Sequence, residues 1–385
     1  MKINLKSKIN KDRYTEYVCE AFDIQDSDTT ESEVSFNLGS AKSFDWNIGV
    51  IYGSSGSGKT TILKQMGKLA SSSFDGEKSL ISNFDWLEPS EASMLLSSMG
   101  LSSVPTWLRP FHLLSNGEQF RAELAYKVGK ANDNEVILID EFTSVVDRDV
   151  AKSMSFAIQK YLRKHNKRMV VASCHYDIME WLTPDWVSSP QKNGGALQRS
   201  SLLRGSRPNI ELQVSRVESS AWDIFKKHHY MSEKANKAYI YLLFTWNNKP
   251  IAIAVVGRQV GRGVGLAYRD SRIVVLPDFQ GMGLGTSVSN FLGGVFKSMG
   301  ARYFTKTIHP ALGEYRNNSS EWKPTAFNGK IRKPTKSDSN KYTSIKLRAS
   351  YCHEYDGESV IGYSDILKPI KEMRDLKTNT LKLDL

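Results

Sequence analysis

Short runs of apolar residues punctuate the first half of the chain, separated by longer stretches of mixed polarity. Ile48–Tyr52, Val136–Ile139 and Val170–Ala172 are continuous apolar runs of the kind that form buried strands. A weaker run at Ser79–Ser82 predicts a further strand. Strands of this kind, alternating with helical segments, predict an α/β domain with a mixed sheet in the first half.

The second half has a different pattern, in which strands follow one another before a helix appears. Two apolar segments flank Asn247–Lys249, which predicts a hairpin. Consecutive hairpin strands predict an α+β domain whose central sheet is mostly antiparallel. The predicted strands are 210–214, 238–246, 250–258, 272–277 and 302–308, and the predicted helices are 220–227 and 286–299.

The two patterns meet in a stretch rich in Gly, Ser, Pro and basic residues, from Ser188 to Pro208. This is the composition of turns and linkers, although part of it could form an edge strand of the first domain. We therefore expect one domain at residues 1–205 and a second at 206–385.

Composition restricts the environment of the protein. No apolar run approaches the roughly 18–20 residues that cross a bilayer, and the charged N-terminus lacks the apolar segment of a signal peptide. Cys19, Cys174 and Cys352 are too few and too far apart to indicate a disulfide framework or a zinc site. These features predict a reduced, cytoplasmic protein.

Charge separates the halves more sharply than the apolar pattern does. Residues 206–385 hold 28 Lys and Arg against 16 Asp and Glu, whereas residues 1–205 hold 24 against 25. The net charge of +11 therefore belongs to the second half, which predicts an anionic partner such as nucleic acid or a phosphate-rich cofactor. The densest stretch, a basic C-terminal extension with Tyr342 and Tyr351 interleaved, is either a nucleic-acid contact or a solvated loop. Its candidate nucleic-acid-binding residues are Arg332, Lys333 and Lys336.

The first motif that indicates a chemical function is the glycine-rich segment after the first predicted strand. Gly53–Thr60 has the spacing G-x-x-x-x-G-K-[ST], between a strand and a helix, which is the P-loop pattern. Its glycines let backbone N–H groups turn toward phosphate oxygens, and the helix N-terminus adds a positive dipole end. We expect this loop to bind ATP, with Lys59 on the β- and γ-phosphates and Thr60 on Mg²⁺. The candidate nucleotide-binding residues here are Gly53, Ser54, Gly56, Ser57, Gly58, Lys59, Thr60 and Thr61.

Further motifs follow in a fixed order. Leu114–Gln119 has the sequence L-S-N-G-E-Q before a helix, and the strand 136–139 ends in two carboxylates. Ser144–Asp147 follows, and a predicted strand over Val170–His175 ends in a histidine. Together with the P-loop, over roughly residues 32–185, this set resembles the ABC-type ATPases.

That resemblance implies roles for individual residues. Asp140 would hold Mg²⁺ and Glu141 would polarise the attacking water. His175 stands at the place of the family's switch histidine. Ser115 and Gly117 of the signature, with Asp147 of the D-loop, would contact nucleotide bound to a second subunit. The resemblance thus implies a homodimer that sandwiches ATP.

Three features depart from the family pattern. Asn116 stands where a glycine is usual, and we expect the loop to survive this change because Asn tolerates left-handed backbone angles better than most residues. No Gln occupies a plausible Q-loop position, for which Asn83 or Asp85 could substitute. The adenine-stacking aromatic is open among Phe36, Phe44 and Trp46. Only about 55 residues separate the P-loop from the L-S-N-G-E-Q motif, so the helical insert that this family carries there is short. A short insert argues against coupling to membrane subunits, and we expect no membrane partner.

The second half carries its own phosphate-binding pattern. A predicted strand runs into Gln280–Gly285, Q-G-M-G-L-G, and then an apolar helix. The preceding hairpin disfavours a Rossmann turn, because that unit is parallel. Strand, glycine-rich loop and helix resemble the acyl-CoA loop of GNAT acyltransferases, which implies acetyl-CoA or another acyl-CoA as cofactor. The candidate acyl-CoA-binding residues are Val274, Val275, Gln280, Gly281, Met282, Gly283, Leu284 and Gly285.

A finer resemblance rests on His228–Ser232, His309–Tyr315 and Ser320–Trp322. These segments look like those of phage DNA-modification acyltransferases of the Mom type. The GNAT resemblance implies that Tyr315 protonates the leaving thiolate. Either His229 or His309 could be the general base, since imidazole titrates near neutral pH.

The sequence thus predicts an ABC-type ATPase fused to an acyltransferase that modifies a nucleic-acid base, DNA rather than RNA. Base chemistry in a duplex requires extrusion of the base, which an ATP-driven clamp could assist. Two alternatives remain open. One is a repair or defence ATPase whose GNAT-like domain only binds a ligand, and the other is an acyltransferase acting on a protein or small-molecule amine.

Overall fold

The structure is a computed structural model that describes residues 2–22, 29–35, 37, 44–192, 195–199, 209–229, 235–261, 263–331, 349–369 and 379–384. Up to residue 199 its elements are β1 (Lys2–Lys8), α1 (Arg13–Ala21), β2 (Thr29–Ser35), β3 (Ile48–Tyr52), α2 (Lys59–Met66), α3 (Pro89–Ser98), α4 (Val104–Trp107), α5 (Asn116–Lys130), β4 (Val136–Ile139), α6 (Arg148–Lys164), β5 (Arg168–Ser173), α7 (Ile178–Leu182), β6 (Trp186–Ser188) and β7 (Gln198–Arg199). After residue 208 they are β8 (Asn209–Val217), α8 (Trp222–Phe225), β9 (Ile240–Trp246), β10 (Lys249–Arg258), β11 (Ala267–Val275), α9 (Leu284–Ser298), β12 (Arg302–Thr307), α10 (Pro310–Asn318), β13 (Trp322–Pro324), β14 (Tyr351–Tyr355) and β15 (Asn379–Asp384).

The chain forms two compact units. The first contains residues 1–72, 130–145 and 159–205, and the second contains residues 73–129, 146–158 and 206–385. Two segments from within residues 1–205 therefore group with the C-terminal residues. The first of these segments contains the L-S-N-G-E-Q motif, and the second begins at Val146, within Ser144–Asp147.

A five-stranded sheet forms the core of the first unit, in the order β4-β5-β3-β6-β7. Its first four strands are parallel, and β7 is an antiparallel edge strand within the predicted linker. The apolar runs predicted as buried strands form β3, β4 and β5; β3 and β5 are interior strands and β4 lies at one edge, and the side chains of all three are mostly buried. The core includes Trp46, Ile51, Ile62, Leu138, Val170 and Trp186.

The predicted strand at Ser79–Ser82 is wrong, because Leu80–Asn83 is a 3₁₀ helix. The Asn83 side chain accepts from Asp75 N at 2.6 Å and donates to Ser79 O at 3.0 Å. These local bonds close the segment into turns, as Asn side chains commonly do, and leave no extended backbone for a ladder.

An eight-stranded sheet forms the centre of the second unit, in the order β13-β14-β12-β11-β10-β9-β8-β15. All neighbours are antiparallel except β11 and β12. From β8 to β12 the elements follow the predicted order, with α8 after the first strand and α9 before β12. The predicted strand at 272–277 begins earlier, at Ala267, and the predicted helix 220–227 is α8 flanked by two 3₁₀ turns.

The pair β11–β12 separates along its length. Its parallel register covers only Ala267–Arg269 opposite Arg302–Phe304, while β11 continues to Val275 and β12 to Thr307. A bulge where β10 meets β11 bends β11 at Ser271, since bulges locally kink a strand. The C-terminal ends of the two strands are therefore open to each other, and the loops that follow them border the opening.

None of the helices in the described ranges is both long enough and apolar enough to cross a membrane.

Candidate functional site

The predicted P-loop residues join β3 to α2 in the first unit. Gly56 and Gly58 have φ of +78° and +91°, in the left-handed region that favours glycine. Gly58 is the N-cap of α2 and no side chain caps the helix there. A Cβ on Gly56 would meet nothing within 4 Å, so the concave side of the loop is open.

Lys59 lies across this loop. Its Nζ donates to Gly53 O at 2.9 Å and to Ser54 O at 2.7 Å. The loop is also held from outside by Gln191, whose Nε2 donates to the Ser54 hydroxyl at 2.9 Å. An ammonium group beside a glycine-rich loop at a helix N-terminus is a candidate site for phosphate.

The two carboxylates follow β4, which is one strand removed from β3 in the same sheet. Asp140 Oδ1 accepts from Glu141 N at 3.0 Å. Glu141 has φ of +50°, and its side chain is exposed. A left-handed angle at a residue other than glycine costs free energy, and such positions cluster at functional sites.

His175 follows the neighbouring strand β5. Its backbone N–H donates to the Ser173 hydroxyl at 3.1 Å, and that hydroxyl donates to Phe142 O at 3.0 Å. Ser173 thus ties the histidine turn to the segment directly after Glu141. The first unit therefore brings the P-loop, Asp140, Glu141 and His175 to the carboxyl ends of adjacent parallel strands.

The signature motif begins α5 in the second unit. Glu118 accepts from both the backbone N–H and the hydroxyl of Ser115 at 3.0 Å, which is a capping-box contact. Its other oxygen accepts from Thr106 at 2.9 Å. Gly117 is packed so closely that a Cβ there would lie 3.3 Å from Val150.

The tolerance of Asn for left-handed backbone angles is not used at Asn116. Asn116 is the first residue of α5 and has no positive φ. The cap is supplied by Ser115 and Glu118, so the backbone needs no left-handed residue at this position. Asp147, the D-loop residue, accepts from Val150 N at 3.0 Å and so satisfies one of the free N–H groups at the start of α6.

Two assignments that the ATPase-like motifs leave open are the adenine-stacking aromatic and the residue at the Q-loop position. Trp46 is buried against Trp186 at a ring-centroid distance of 5.5 Å, so it is a core residue and not an adenine platform. Phe44 is half-buried with Arg199 over its ring at 4.2 Å, and Phe36 lies outside the described residues. For the Q-loop position, the Asn83 amide is used in local turns, whereas Asp85 forms an ion pair with Lys78 at 3.6 Å and keeps an exposed carboxylate.

The glycine-rich loop of the second unit precedes α9 and repeats the P-loop geometry. Gly283 is the N-cap with φ of +86°, and no side chain caps this helix either. Among the described residues, the N–H groups of Gly283, Leu284 and Gly285 have no acceptor. The Met282 and Leu284 side chains are buried, so only their backbone is available to a ligand.

Gln280 and the two valines have separate roles. The Gln280 carboxamide accepts from Ser102 N at 2.7 Å and donates to Val275 O at 2.8 Å, so its side chain is already used. Val274 and Val275 lie on the part of β11 that has no partner strand on its β12 side. Val274 is buried and the Val275 carbonyl is already used by Gln280, so what this edge lacks is a pairing strand.

Tyr315 lies in α10 and is half-buried. Its hydroxyl accepts from Asn290 Nδ2 at 2.9 Å, and Asn290 also donates to Glu321. The Trp322 indole donates to Asn290 Oδ1 at 2.9 Å and thereby fixes the orientation of the amide. Because the Tyr315 oxygen is the acceptor in this bond, its own proton remains available for donation.

The two candidate bases differ. Burial, reinforced by Arg272, lowers the pKa of His229 to about 4, so the expectation of near-neutral titration is wrong there. Burial also lowers the pKa of His309, against the effect of its bond to Ser102 O at 3.3 Å. That bond places the proton on Nε2, and Nδ1 is a buried acceptor with no hydrogen-bond partner among the described residues. His309 is thus the better placed base.

The basic candidates Arg332, Lys333 and Lys336, with Tyr342, lie outside the described residues. Tyr351 is described, and it is half-buried with its hydroxyl donating to Glu314 at 2.9 Å. Its ring lies against Gly313, where a Cβ would approach it to 2.2 Å. Tyr351 therefore packs against α10 rather than presenting a free face for bases.

Two residues of the second unit cannot be anticipated from the sequence. Arg121 is fully buried in α5, and Ser102 contacts both Gln280 and His309 through its backbone. Arg121 would ordinarily be assigned to the surface of its helix, because arginine is charged. The contacts of Ser102 use its backbone, so its residue type does not predict them. Only the tertiary arrangement reveals either of them.

No protein-family model matches the chain, and no curated protein matches it. Solved structures that resemble it include ATP-binding cassettes. A dimeric cassette in a post-hydrolysis state bound to ADP and Pi is 14% identical, covering 47% of this chain and 94% of its own, with a TM-score of 0.35. CbiO1 from Clostridium perfringens, part of the ABC transporter complex cbiONQ, is 16% identical, covering 40% and 75%, with a TM-score of 0.32.

The pKa of His229 yields a testable pH dependence. Its pKa is about 4 in the folded protein, against an ordinary value of 6.5, so the unfolded chain binds more protons between these values. Folding stability should therefore fall as the pH drops from 6.5 toward 4, by up to about 3 kcal/mol from this residue. Urea unfolding at pH 7 and pH 5 should show a smaller acid loss in His229→Gln. The same change at exposed His112 is the control, and an equal acid loss in His229→Gln and the parent would contradict the assignment.

Proposed function

We propose that the chain is an ABC-type ATPase that binds ATP on its P-loop and hydrolyses it with Glu141. The observation that supports this most directly is the arrangement of Lys59 over the glycine-rich loop between β3 and α2. The acidic pair after β4 and the histidine after β5 lie at the same edge of the sheet. This is the arrangement that a nucleotide with its metal and attacking water requires.

Magnesium fits the residues present. Thr60 and Asp140 offer a hydroxyl and a carboxylate, and Mg²⁺ prefers such oxygen ligands while keeping several waters and phosphate oxygens. One Asp140 oxygen is engaged by Glu141 N, which leaves the other available. Bound Mg²⁺ would neutralise phosphate charge, and Lys59 would exchange its two carbonyl contacts for phosphate oxygens.

The proposed ATPase acts as a homodimer. The chain has one P-loop and one signature motif, so the complementary half of each nucleotide site comes from a second copy. Ser115, Gly117 and Asp147 would contribute to the partner's nucleotide, and a closed two-fold pair satisfies both sites.

Substitutions at Lys59 and Glu141 should separate binding from turnover. Lys59→Ala should weaken ATP binding by roughly 10- to 100-fold, because it removes a charge-assisted hydrogen bond to phosphate. Glu141→Gln should bind ATP and dimerise but hydrolyse it at least about a hundredfold more slowly. Calorimetry measures ATP affinity, phosphate release measures the hydrolysis rate, and light scattering measures dimerisation. Normal hydrolysis by Glu141→Gln would remove Glu141 from its role, and a strict monomer with ATP would exclude the sandwich.

We further propose that the C-terminal half is a GNAT-type acyltransferase using acetyl-CoA or another acyl-CoA. Three observations support this. The order of elements from β8 to β12 is the one expected, the N-terminus of α9 presents N–H groups without an acceptor among the described residues, and β11 has no partner strand on its β12 side beyond Arg269. The pyrophosphate would bind at the helix N-terminus and the pantetheine arm along the strand edge.

Transfer needs a base and an acid. An acceptor amine attacks the thioester carbonyl, loses its proton to the base, and the carbon–sulfur bond breaks as CoA leaves. His309 Nδ1 is the favoured base and Tyr315 the acid that protonates the thiolate. His229, with its pKa of about 4, is the weaker candidate.

The proposed acyl-CoA site can be tested at Gly283. Gly283→Asp places a negative charge toward the phosphates and fills the close approach, so acetyl-CoA affinity should fall at least about tenfold. Calorimetry measures the affinity and circular dichroism the fold. Gly263→Asp is the matched control, since Gly263 also has a positive φ, +75°, and nothing lies within 4 Å of its Cβ position. Unchanged affinity in Gly283→Asp would refute the site.

The acceptor we favour is a base in DNA. The excess of positive charge in residues 206–385 supports a polyanionic partner, and the finer resemblance is to Mom-type enzymes. A nucleic-acid-stimulated ATPase with a silent acyltransferase domain, or a transferase for protein or small-molecule amines, are the alternatives. Mass spectrometry of nucleosides from cells making the parent or Lys59→Ala protein distinguishes these functions, because only acylation of a DNA base leaves a modified nucleoside.

The charge distribution predicts where DNA binds. Changing Arg332, Lys333 and Lys336 together to Glu should weaken duplex binding regardless of sequence. It should also flatten the logarithmic salt dependence by about 0.9 for each phosphate that is no longer neutralised. Fluorescence anisotropy at several salt concentrations measures both. A parent-like slope in the triple variant would favour the amine-acceptor alternative.

A further inference from the structure

Ser102 joins the two strand ends that border the proposed acyl-CoA opening. Its N–H donates to the Gln280 side chain at 2.7 Å, and its carbonyl accepts from His309 Nε2 at 3.3 Å. Gln280 follows β11 and His309 follows β12, the parallel pair that separates after Arg269. The N–H and the carbonyl of Ser102 therefore connect the residue that follows β11 to the residue that follows β12.

Arg121 makes a second connection to the same loop. Its guanidinium donates to Pro277 O at 2.6 Å, to Asp278 O at 3.1 Å and to the Ser153 hydroxyl at 2.8 Å. Ser153 in turn donates to Asp278 O at 2.8 Å. The side chain of Arg121 is fully buried, so these bonds form without competition from water.

The backbones at this contact are tightly packed. A Cβ on Gly281 would lie 2.8 Å from Ala157 Cβ and 3.0 Å from Gly100 Cα, and one on Gly100 would lie 2.9 Å from Gln280 O. A packed contact of this kind transmits displacement rather than absorbing it. A further contact joins α6 to the β9–β10 hairpin, where Lys249 Nζ lies 2.8 Å from Asp149 Oδ2.

The signature motif lies on the same rigid element as Arg121. Arg121 follows Gly117 by four residues in α5, which is about 6 Å along the helix axis. A nucleotide phosphate that engages Ser115 and Gly117 therefore acts on the helix that holds Pro277 and Asp278. Any ligand that favours one position of α5 favours the matching position of the loop.

We propose that Arg121 and Ser102, both in the ATPase-like half of the sequence, are positioning residues for the loop 277–285 and for His309. Through them the state of nucleotide at the signature motif sets the width of the opening between β11 and β12. This inference rests on the proposed ATPase function. By reciprocity, a ligand held by the loop changes nucleotide affinity by the same factor.

Hydrogen exchange tests the link without requiring acyl transfer. In the full-length Glu141→Gln protein, Mg²⁺ and ATP should change the exchange rates of amides in 277–285 at least about fivefold, the lower end of typical coupling factors. In Glu141→Gln with Arg121→Leu, the change should fall below about twofold, because the loop is no longer tied to α5. ATP affinity is measured by calorimetry on the same samples.

The matched control is Arg163→Leu in the same background. Arg163 is also largely buried and hydrogen-bonded, to Asp185 at 3.2 Å and Thr183 O at 2.6 Å, but it lies in the first unit. It should keep the full nucleotide effect on residues 277–285. If Arg121→Leu does not fold, Ser153→Ala decides the matter, since it removes one acceptor of Arg121 and should reduce the effect at least about twofold.

The outcomes separate the two proposals. Loss of ATP binding in the Glu141→Gln parent overturns the ATPase function and the link together. Normal ATP binding with unchanged exchange in 277–285 overturns the link alone. An effect of equal size in the Arg121→Leu or Ser153→Ala variant also overturns it. A further readout is the acetyl-CoA titration with and without ATP, in which equal affinities would contradict the proposed link.

Discussion

A guanidinium group removed from water must be supplied with acceptors, and that requirement organises the second unit around Arg121. Leaving such a charge buried without partners costs roughly 3–5 kcal/mol, a large part of the stability of a domain. The acceptors come from the loop after β11 and from α6, which are remote from Arg121 in sequence. Burial lowers the pKa of Arg121 to about 10, which still leaves it charged at neutral pH. The loop 277–280 is therefore fixed by an interaction that cannot be satisfied elsewhere.

Much of the fold and of the nucleotide site can be predicted because local rules decide those segments. Ile48–Tyr52 has the bounds predicted for it, since a continuous apolar run before a glycine-rich turn has few alternatives. Gly58 and Gly283 are expected to permit a close approach, and both have the positive φ that only glycine adopts at low cost. The hairpin at Asn247–Asn248 also forms, with both residues left-handed.

The remaining features depend on contacts that residue type does not encode. Leu80–Asn83 is apolar enough for a strand, but Asn83 forms bonds within its own turn. Asn116 is expected to behave as a glycine substitute, whereas the cap from Ser115 and Glu118 makes it an ordinary helical residue. The pKa of His229 is predicted near neutrality because imidazole usually titrates there, but burial lowers it. In each case the contacts that the residue makes in the folded chain outweigh the usual behaviour of its residue type.

The two glycine-capped helices, α2 and α9, have a chemical consequence for ligand choice. ATP and coenzyme A share an adenosine unit that carries a 5′-diphosphate, and each helix N-terminus offers uncapped N–H groups to that fragment. If ATP binds at α2 and acyl-CoA at α9, as proposed, discrimination between the two molecules must come from what surrounds the diphosphate. At α2 this is the Lys59 ammonium, which suits a terminal phosphate, and at α9 it is the bare strand edge of β11, which suits an amide chain. A nucleoside diphosphate lacks both distinguishing ends, so ADP is the molecule for which the selectivity of the two sites is lowest.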